Sequence, residues 1–200
     1  MNISSSPITL TLILLNVVLS LYAWNSNKVF QKWMLHPYSF GRKGNHFTLF
    51  TSAFIHADSI HLIMNMFALF SFGQYVEIEL SAMQYITLYG ISILTSALPS
   101  LIKHKHDAYY YTLGASGAIS GVVFAFIVLH PLAKLSLVFF PISMPAILFG
   151  ILYIVLSIYA QRRAMDNLNH DAHIAGALTG AIFTFWVKPE SVRFLLDLAL

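Results

Sequence analysis

Between Ile8 and Val187 the sequence returns six times to an apolar run. The runs are Ile8–Trp24, Ile60–Val76, Met83–Ile102, Gly114–His130, Pro145–Ala160 and Ala172–Val187. A bilayer core is crossed by about 20 helical residues, with a range of roughly 17–25. Repeated runs of that size admit few folds, because a bilayer holds no water to satisfy an open backbone. Helices and closed barrels are what remain, and no strand-like alternation supports a barrel. The expected fold class is an all-α integral membrane protein with six transmembrane helices. Composition agrees: 58% of the 200 residues are hydrophobic and 10% are charged, where a soluble domain carries about 25% charged residues. Several runs sit at the short end of the spanning range, which predicts helices that reach into the loops or a locally thinned bilayer.

The fifth run belongs to a longer apolar stretch, Leu135–Ala160, broken by Pro141 and Pro145. Its first part, Leu135–Met144, reads as an interfacial or re-entrant piece. The N-terminus, MNISSSPITL, has no basic region ahead of its apolar run, so Ile8–Trp24 is expected as a retained helix. The longest connection, Asn25–Ala57, is long enough to carry structure of its own. Residues 1–200 read as a single membrane domain without internal repeats. Eleven Lys and Arg give a net charge of +3 and form no stripe, which sets nucleic acid aside as a partner. Cysteine is absent, so thiolate chemistry is excluded. With the N-terminus inside, the outer loops would carry Lys28, Lys32, Arg42, Lys43, Lys103, Lys105, Arg162 and Arg163, and the inner side only Lys134, Lys188 and Arg193. The positive-inside bias therefore favours the opposite orientation.

Polar groups inside a bilayer are costly and mark candidate function. Three clusters stand out. His61 and Asn65, in HLIMN, are four residues apart and share one helix face. Ser116 lies in GASG at the start of the fourth run, and His173 in AHIAGALTG at the start of the sixth. The second, fourth and sixth helices run in the same direction, because one intervening span separates each pair. All three clusters lie in first turns, so they share one depth whichever way the chain is oriented. The chemistry such a set supports is acyl transfer. Ser116 needs a base to become a nucleophile, and His173 is placed to serve. Asn65, a ring N–H of His61 and the Ser116 backbone N–H are donors for an oxyanion. Gly114 and Gly117 leave room for a substrate backbone.

Each cluster has a plainer explanation. Gly117-x-x-x-Gly121 and Gly176-x-x-x-Gly180 are also packing seams of membrane helices. His61 alone reads as an interfacial histidine, and Asn65 alone as interhelical glue. The nucleophile-elbow pattern is unmet, since residue 118 is alanine. Asp171 and Asp58 read as helix N-caps rather than as a third catalytic member. KHKHD, with His104, His106 and Asp107, reads as a solvated loop before a metal patch. No metal or cofactor is expected.

Together the clusters resemble the rhomboid family of intramembrane serine proteases. The matching residues are His61-x-x-x-Asn65, Gly114-Ala115-Ser116-Gly117 and Ala172-His173-x-x-Gly176-x-x-x-Gly180. The resemblance covers a core of about residues 45–187. It implies a compact six-helix bundle with a water-filled cavity opening to the extracytoplasmic side. Ser116 would be the nucleophile and His173 the general base and acid. His61 and Asn65 would line the oxyanion hole, with the backbone of Ala115 and Ser116. Gly114, Gly117, Gly176 and Gly180 would be structural residues near the site. Substrates would be single-span membrane proteins cut in or beside their transmembrane segment, in contact with membrane lipid. A bacterial cytoplasmic membrane is the expected location. Loop one, Asn25–Ala57, looks like the family's partly embedded first loop, and Glu77 matches a position at the inner end of the second helix. Two departures stand out. Phe47-Thr48 replaces a Trp-Arg pair, and Ser120 stands where some members place an aromatic ring against the catalytic histidine. The alternatives are a catalytically silent relative that binds transmembrane helices, and a small transporter.

Overall fold

The computed structural model describes residues 6–42, 44–137, 140–163, 169–192 and 197. In chain order the elements are α1 (Pro7–Trp24), α2 (Asn27–Trp33), α3 (Thr48–Thr51), α4 (Ser59–Glu79), α5 (Ala82–Lys103), α6 (Ser116–Leu129), β1 (Lys134–Leu137), β2 (Phe140–Pro145), α7 (Ala146–Arg163) and α8 (His170–Val187). Single 3-10 turns occupy Pro37–Ser39 and Ser52–Phe54. Each of the six apolar runs carries a helix of 14 or more residues. Loop one holds α2, α3 and both 3-10 turns, as its length predicts. Of the charges used in the orientation argument, Lys43, Arg193 and the side chains of Arg162 and Arg163 lie outside the described residues.

The all-α expectation fails at one segment. Lys134–Leu137 and Phe140–Pro145 pair as antiparallel strands, with Lys134 opposite Pro145 and Ser136 opposite Ser143. Pro141 and Pro145 remove two backbone donors and disfavour helix at the residues before them, so this stretch pairs as strands. Ala146 N–H donates to Ala133 (2.9 Å) and Ile147 N–H to Pro131 (2.9 Å), which leads the chain straight from β2 into α7.

The six-span expectation also narrows. Among the described residues two helices, α1 and α5, are long and apolar enough to cross a bilayer. A third span is reached if α4 is taken with Thr48–Phe54, from which it is bent by 91°. The apolar helix α6 has 14 residues, a length of about 21 Å at 1.5 Å per residue.

Helix starts follow local chemistry. The Asp58 side chain accepts from His61 N–H at 2.8 Å and opens α4, as expected of an N-cap. Ser81 and Gln84 form a reciprocal capping box on α5. For α1 the cap comes from a distance. The carboxyl oxygens of Glu77, in the last turn of α4, accept from Ile8 N–H (2.8 Å) and Thr9 N–H (2.7 Å). These donors are orphans of the helix start, so one side chain fixes the α1 N-terminus against the end of α4. The Thr9 hydroxyl then meets Tyr85 Oη at 3.1 Å, which draws in α5.

Polarity is distributed inside out relative to a soluble domain. Asn16, Ser20, Ser92, Ser96, Ser100 and Thr184 are buried. Ile60, Met83 and Trp186 are exposed at 74%, 73% and 76%. Large apolar side chains facing outward on several helices suit lipid rather than water. The central helix is α6, buried on nearly every side from Gly117 to Val128, as an all-round apolar helix requires. It packs against α4, α5 and α8. Its approach to α8 is unusually close. A Cβ at Gly176 would fall on the Gly117 carbonyl oxygen, and one at Gly180 on that of Gly121.

Candidate active site

The chain reaches Ser116 along a constrained path. Leu35 and Thr112 form an antiparallel bridge of two 3.0 Å bonds, which ties loop one to the segment before α6. Gly114 N–H then donates to the Ser52 carbonyl at 2.8 Å. Gly114 has φ +116°, in the range that side chains resist. A Cβ there would also meet the His61 ring, 2.8 Å from Cε1 and 3.0 Å from Nε2. The glycine thus permits both the turn and the approach of His61.

Ser116 is the first residue of α6. The first turn of a helix has no internal partners for its N–H groups. The backbone N–H groups of Ala115, Ser116, Gly117 and Ala118 are therefore without helical acceptors at this end of α6. Across the glycine seam, His173 Nε2 lies 2.7 Å from Ser116 Oγ. With the hydroxyl as donor, the imidazole accepts through Nε2 and carries its proton on Nδ1.

The start of α8 is held firmly. Asn169 is the N-cap, and its side-chain oxygen accepts from Ala172 N–H at 3.1 Å. Its amide nitrogen donates to Ser100 Oγ at 2.7 Å and reaches Tyr110 Oη and Thr112 Oγ1 at 3.3 Å. The cap expected at Asp171 is therefore two residues earlier. Asp171 instead pairs with Lys103 and Gln161. Asn caps as well as Asp does, so Asn169 had a readable signal; its reach to α5 and the chain before Ser116 had none. His104, expected in a solvated loop, stacks on Tyr110 at 3.5 Å between centroids.

His61 lies over Gly114, and its ring meets that of His56 edge-on at 5.0 Å. His56 is fully buried; its Nδ1 bonds Ser20 Oγ at 3.0 Å, and its carbonyl accepts from Trp24 Nε1 at 2.8 Å. Asn65 is buried, and its amide donates to the His61 carbonyl at 2.8 Å. A primary amide has two N–H groups, so one remains for another acceptor. Behind Ser116 lies a cavity of about 40 Å³ bordered by Ser52, Ser96, Thr112 and Asn169, large enough for a water molecule with several polar partners. Thus Ser116, His173, His61, Gly114 and Gly117 come together, and Gly176 with Gly180 sets the seam. Asn65 is tied to His61 within α4.

The Rhomboid domain family matches residues 43–190. The chain belongs to the rhomboid family. It is 33% identical over 168 residues to RHOMBOID-like protein 12, mitochondrial, of Arabidopsis thaliana, covering 76% of this chain and 49% of that protein. It is 31% identical over 140 residues to Rhomboid protein 1, mitochondrial, of Saccharomyces cerevisiae, covering 68% and 40%. Presenilin-associated rhomboid-like protein A, mitochondrial, of Danio rerio shares 30% over 131 residues, covering 64% and 34%. The chain spans about half, or less, of the length of these curated relatives. The rhomboid match contains all three polar clusters and the whole of α4 to α8.

Proposed function

We propose that this rhomboid is an intramembrane serine endopeptidase that cuts single-span membrane proteins in or beside their transmembrane segment. The observation that carries the reading is the 2.7 Å contact between Ser116 Oγ and His173 Nε2 at two packed helix starts. His173 takes the hydroxyl proton as Oγ attacks the scissile carbonyl carbon. The tetrahedral oxyanion turns toward the His61 ring, the second amide N–H of Asn65 and the backbone donors of Ala115 and Ser116. The imidazolium returns its proton to the departing amine, and the acyl group stays on Oγ. A water then gives a proton to His173 as it attacks the ester carbonyl carbon, and the imidazolium passes that proton to Oγ as the acyl–Oγ bond breaks, releasing the acid and restoring the serine. The polar cavity behind Ser116 suits the storage of that water.

This reading takes α1, α4, α5, α6, α7 and α8 as six spans, the shorter ones in a thinned bilayer, with lipid against the exposed apolar faces. The site lies near one membrane face, where α4, α6 and α8 begin. The relatives are named as mitochondrial, so they lend no support to a bacterial cytoplasmic membrane. The proposal is a multi-pass position with the site opening to the face of those helix starts.

The test is reconstitution in liposomes with a single-span reporter. Wild type is expected to cleave it and to be labelled at Ser116 by a fluorophosphonate. Ser116→Ala and His173→Ala are expected to do neither. Cleavage that survives both substitutions would sink the dyad. Absence of both cleavage and labelling in wild type would favour a catalytically silent binder of transmembrane helices.

A further inference from the structure

The position one turn after Ser116 holds Ser120, a side chain too small to touch the base from α6. Two rings lie beside His173: His170, one turn earlier on α8, meets it edge-on at 6.0 Å between centroids, and a second comes from another helix. Tyr153, on α7, lies 6.4 Å from the His173 ring between centroids, with 30° between planes. Its hydroxyl meets Ser120 Oγ at 2.7 Å, and the Ser120 hydroxyl also reaches the Ser116 carbonyl at 2.8 Å. Phe124 and Phe149 flank the Tyr153 ring at 5.7 and 6.2 Å. Ser120 is thus the small residue that admits Tyr153 and the polar group that holds its far end.

The surroundings make this bond matter. Largely apolar grooves border α7 on its α6 side (about 360 Å³), at Phe149 toward β1 and α4 (about 700 Å³), and along Tyr153 and Ala160 toward His170 of α8 (about 280 Å³). Ile151, Val155 and Leu156 point outward at 56%, 55% and 61% exposure. With grooves along these sides of α7, the polar contact across its seam with α6 is a specific tie.

We propose that Tyr153 is the positioning residue of the catalytic base: its ring, pinned by Ser120, holds the His173 imidazole with Nε2 on Ser116 Oγ. The role rests on the Ser116–His173 dyad proposed above. It couples the placement of α7 to reactivity, because outward movement of α7 withdraws the ring from the base. The hydroxyl anchors the ring and takes no part in proton transfer.

The experiment measures the rate of Ser116 labelling by a fluorophosphonate, with kcat and KM on the reporter and the thermal unfolding midpoint alongside. Tyr153→Leu keeps most of the volume and loses the ring. It is expected to slow labelling and kcat by about 10- to 100-fold, the scale of a displacement of about 1 Å in a reacting pair, with KM within about twofold. Tyr153→Phe keeps the ring and is expected to retain most of the rate. The exchange Ser120→Tyr with Tyr153→Ser keeps the same two side chains and returns a ring to the base from α6. It is expected to recover at least half of the rate lost in logarithmic terms. A folded Tyr153→Leu protein with wild-type labelling would overturn the proposal. So would a Tyr153→Phe protein as slow as Tyr153→Leu, since the ring would then not be what matters. If the exchange protein does not fold, the comparison of Leu with Phe decides alone. Wild type that neither cleaves nor labels would instead remove the dyad beneath the proposal.

Discussion

Replacing Gly176 with alanine is the sharpest test of how the seam serves the site. The added methyl would sit on the Gly117 carbonyl oxygen, and backbone cannot swing aside as a side chain can. Carbon and oxygen tolerate about 3.3 Å at closest, so α6 and α8 must part by about 1.4 Å at that rung. Gly117 adjoins Ser116, and Gly176 is three residues, or about 4.5 Å along the axis, from His173. The separation therefore reaches the dyad almost undiminished. It lengthens the 2.7 Å contact to about 4.1 Å, past the limit of a hydrogen bond. The expected cost is about 100-fold in kcat and about 1–3 kcal/mol in stability. Reporter cleavage in liposomes and thermal unfolding in detergent measure the two separately. Gly180→Ala is the control. It meets Gly121 in the same way, one turn farther from the dyad, and is expected to cost similar stability with a smaller loss of rate. A Gly176→Ala protein that cleaves within about twofold of wild type would refute the argument.

Two further outcomes follow from contacts elsewhere. Glu77→Ala leaves the Ile8 and Thr9 N–H groups without their acceptor and is expected to cost about 1–3 kcal/mol for each donor stranded in the packed interior, read as a lowered unfolding midpoint; Glu77→Gln keeps one acceptor and should lose less. An unchanged midpoint for Glu77→Ala would show that the α1 N-terminus is held by something else. Asn65→Ala is expected to lower turnover by on the order of 10²–10³ with a small change in stability, since its observed bond lies within its own helix; an unchanged kcat would remove Asn65 from the oxyanion site.

The sequence carried the features set by neighbours in the chain. Asp58 before the second apolar run marks a helix start, and α4 begins there. The shared direction of three helices placed His61, Ser116 and His173 at one level, and they meet there. The features it hid are those made across helices. Tyr153 is 20 residues before His173 and 37 after Ser116, and no spacing rule links a ring on α7 to an imidazole on α8. Asn169 was shadowed by an equally plausible acid two residues later. The two prolines announced a break in helix but not what replaced it, because strand pairing depends on a partner segment rather than on the breaker.

The 14 residues of α6 have a consequence of their own. At about 21 Å, the helix is some 9 Å short of a bilayer core of about 30 Å. Where the bilayer keeps its full thickness and the Leu129 end meets the far face, the hydroxyl of Ser116 lies below the near face by that shortfall, and local thinning reduces the depth one for one. The depth of the reaction is then a matter of counting residues, not of contacts around the serine. Adding or removing about four residues, close to one helical turn, at the Leu129 end would raise or lower the hydroxyl by about 6 Å while nearly preserving its bearing. A chain built this way can be matched to membranes of different thickness through a part of the helix that never touches the chemistry.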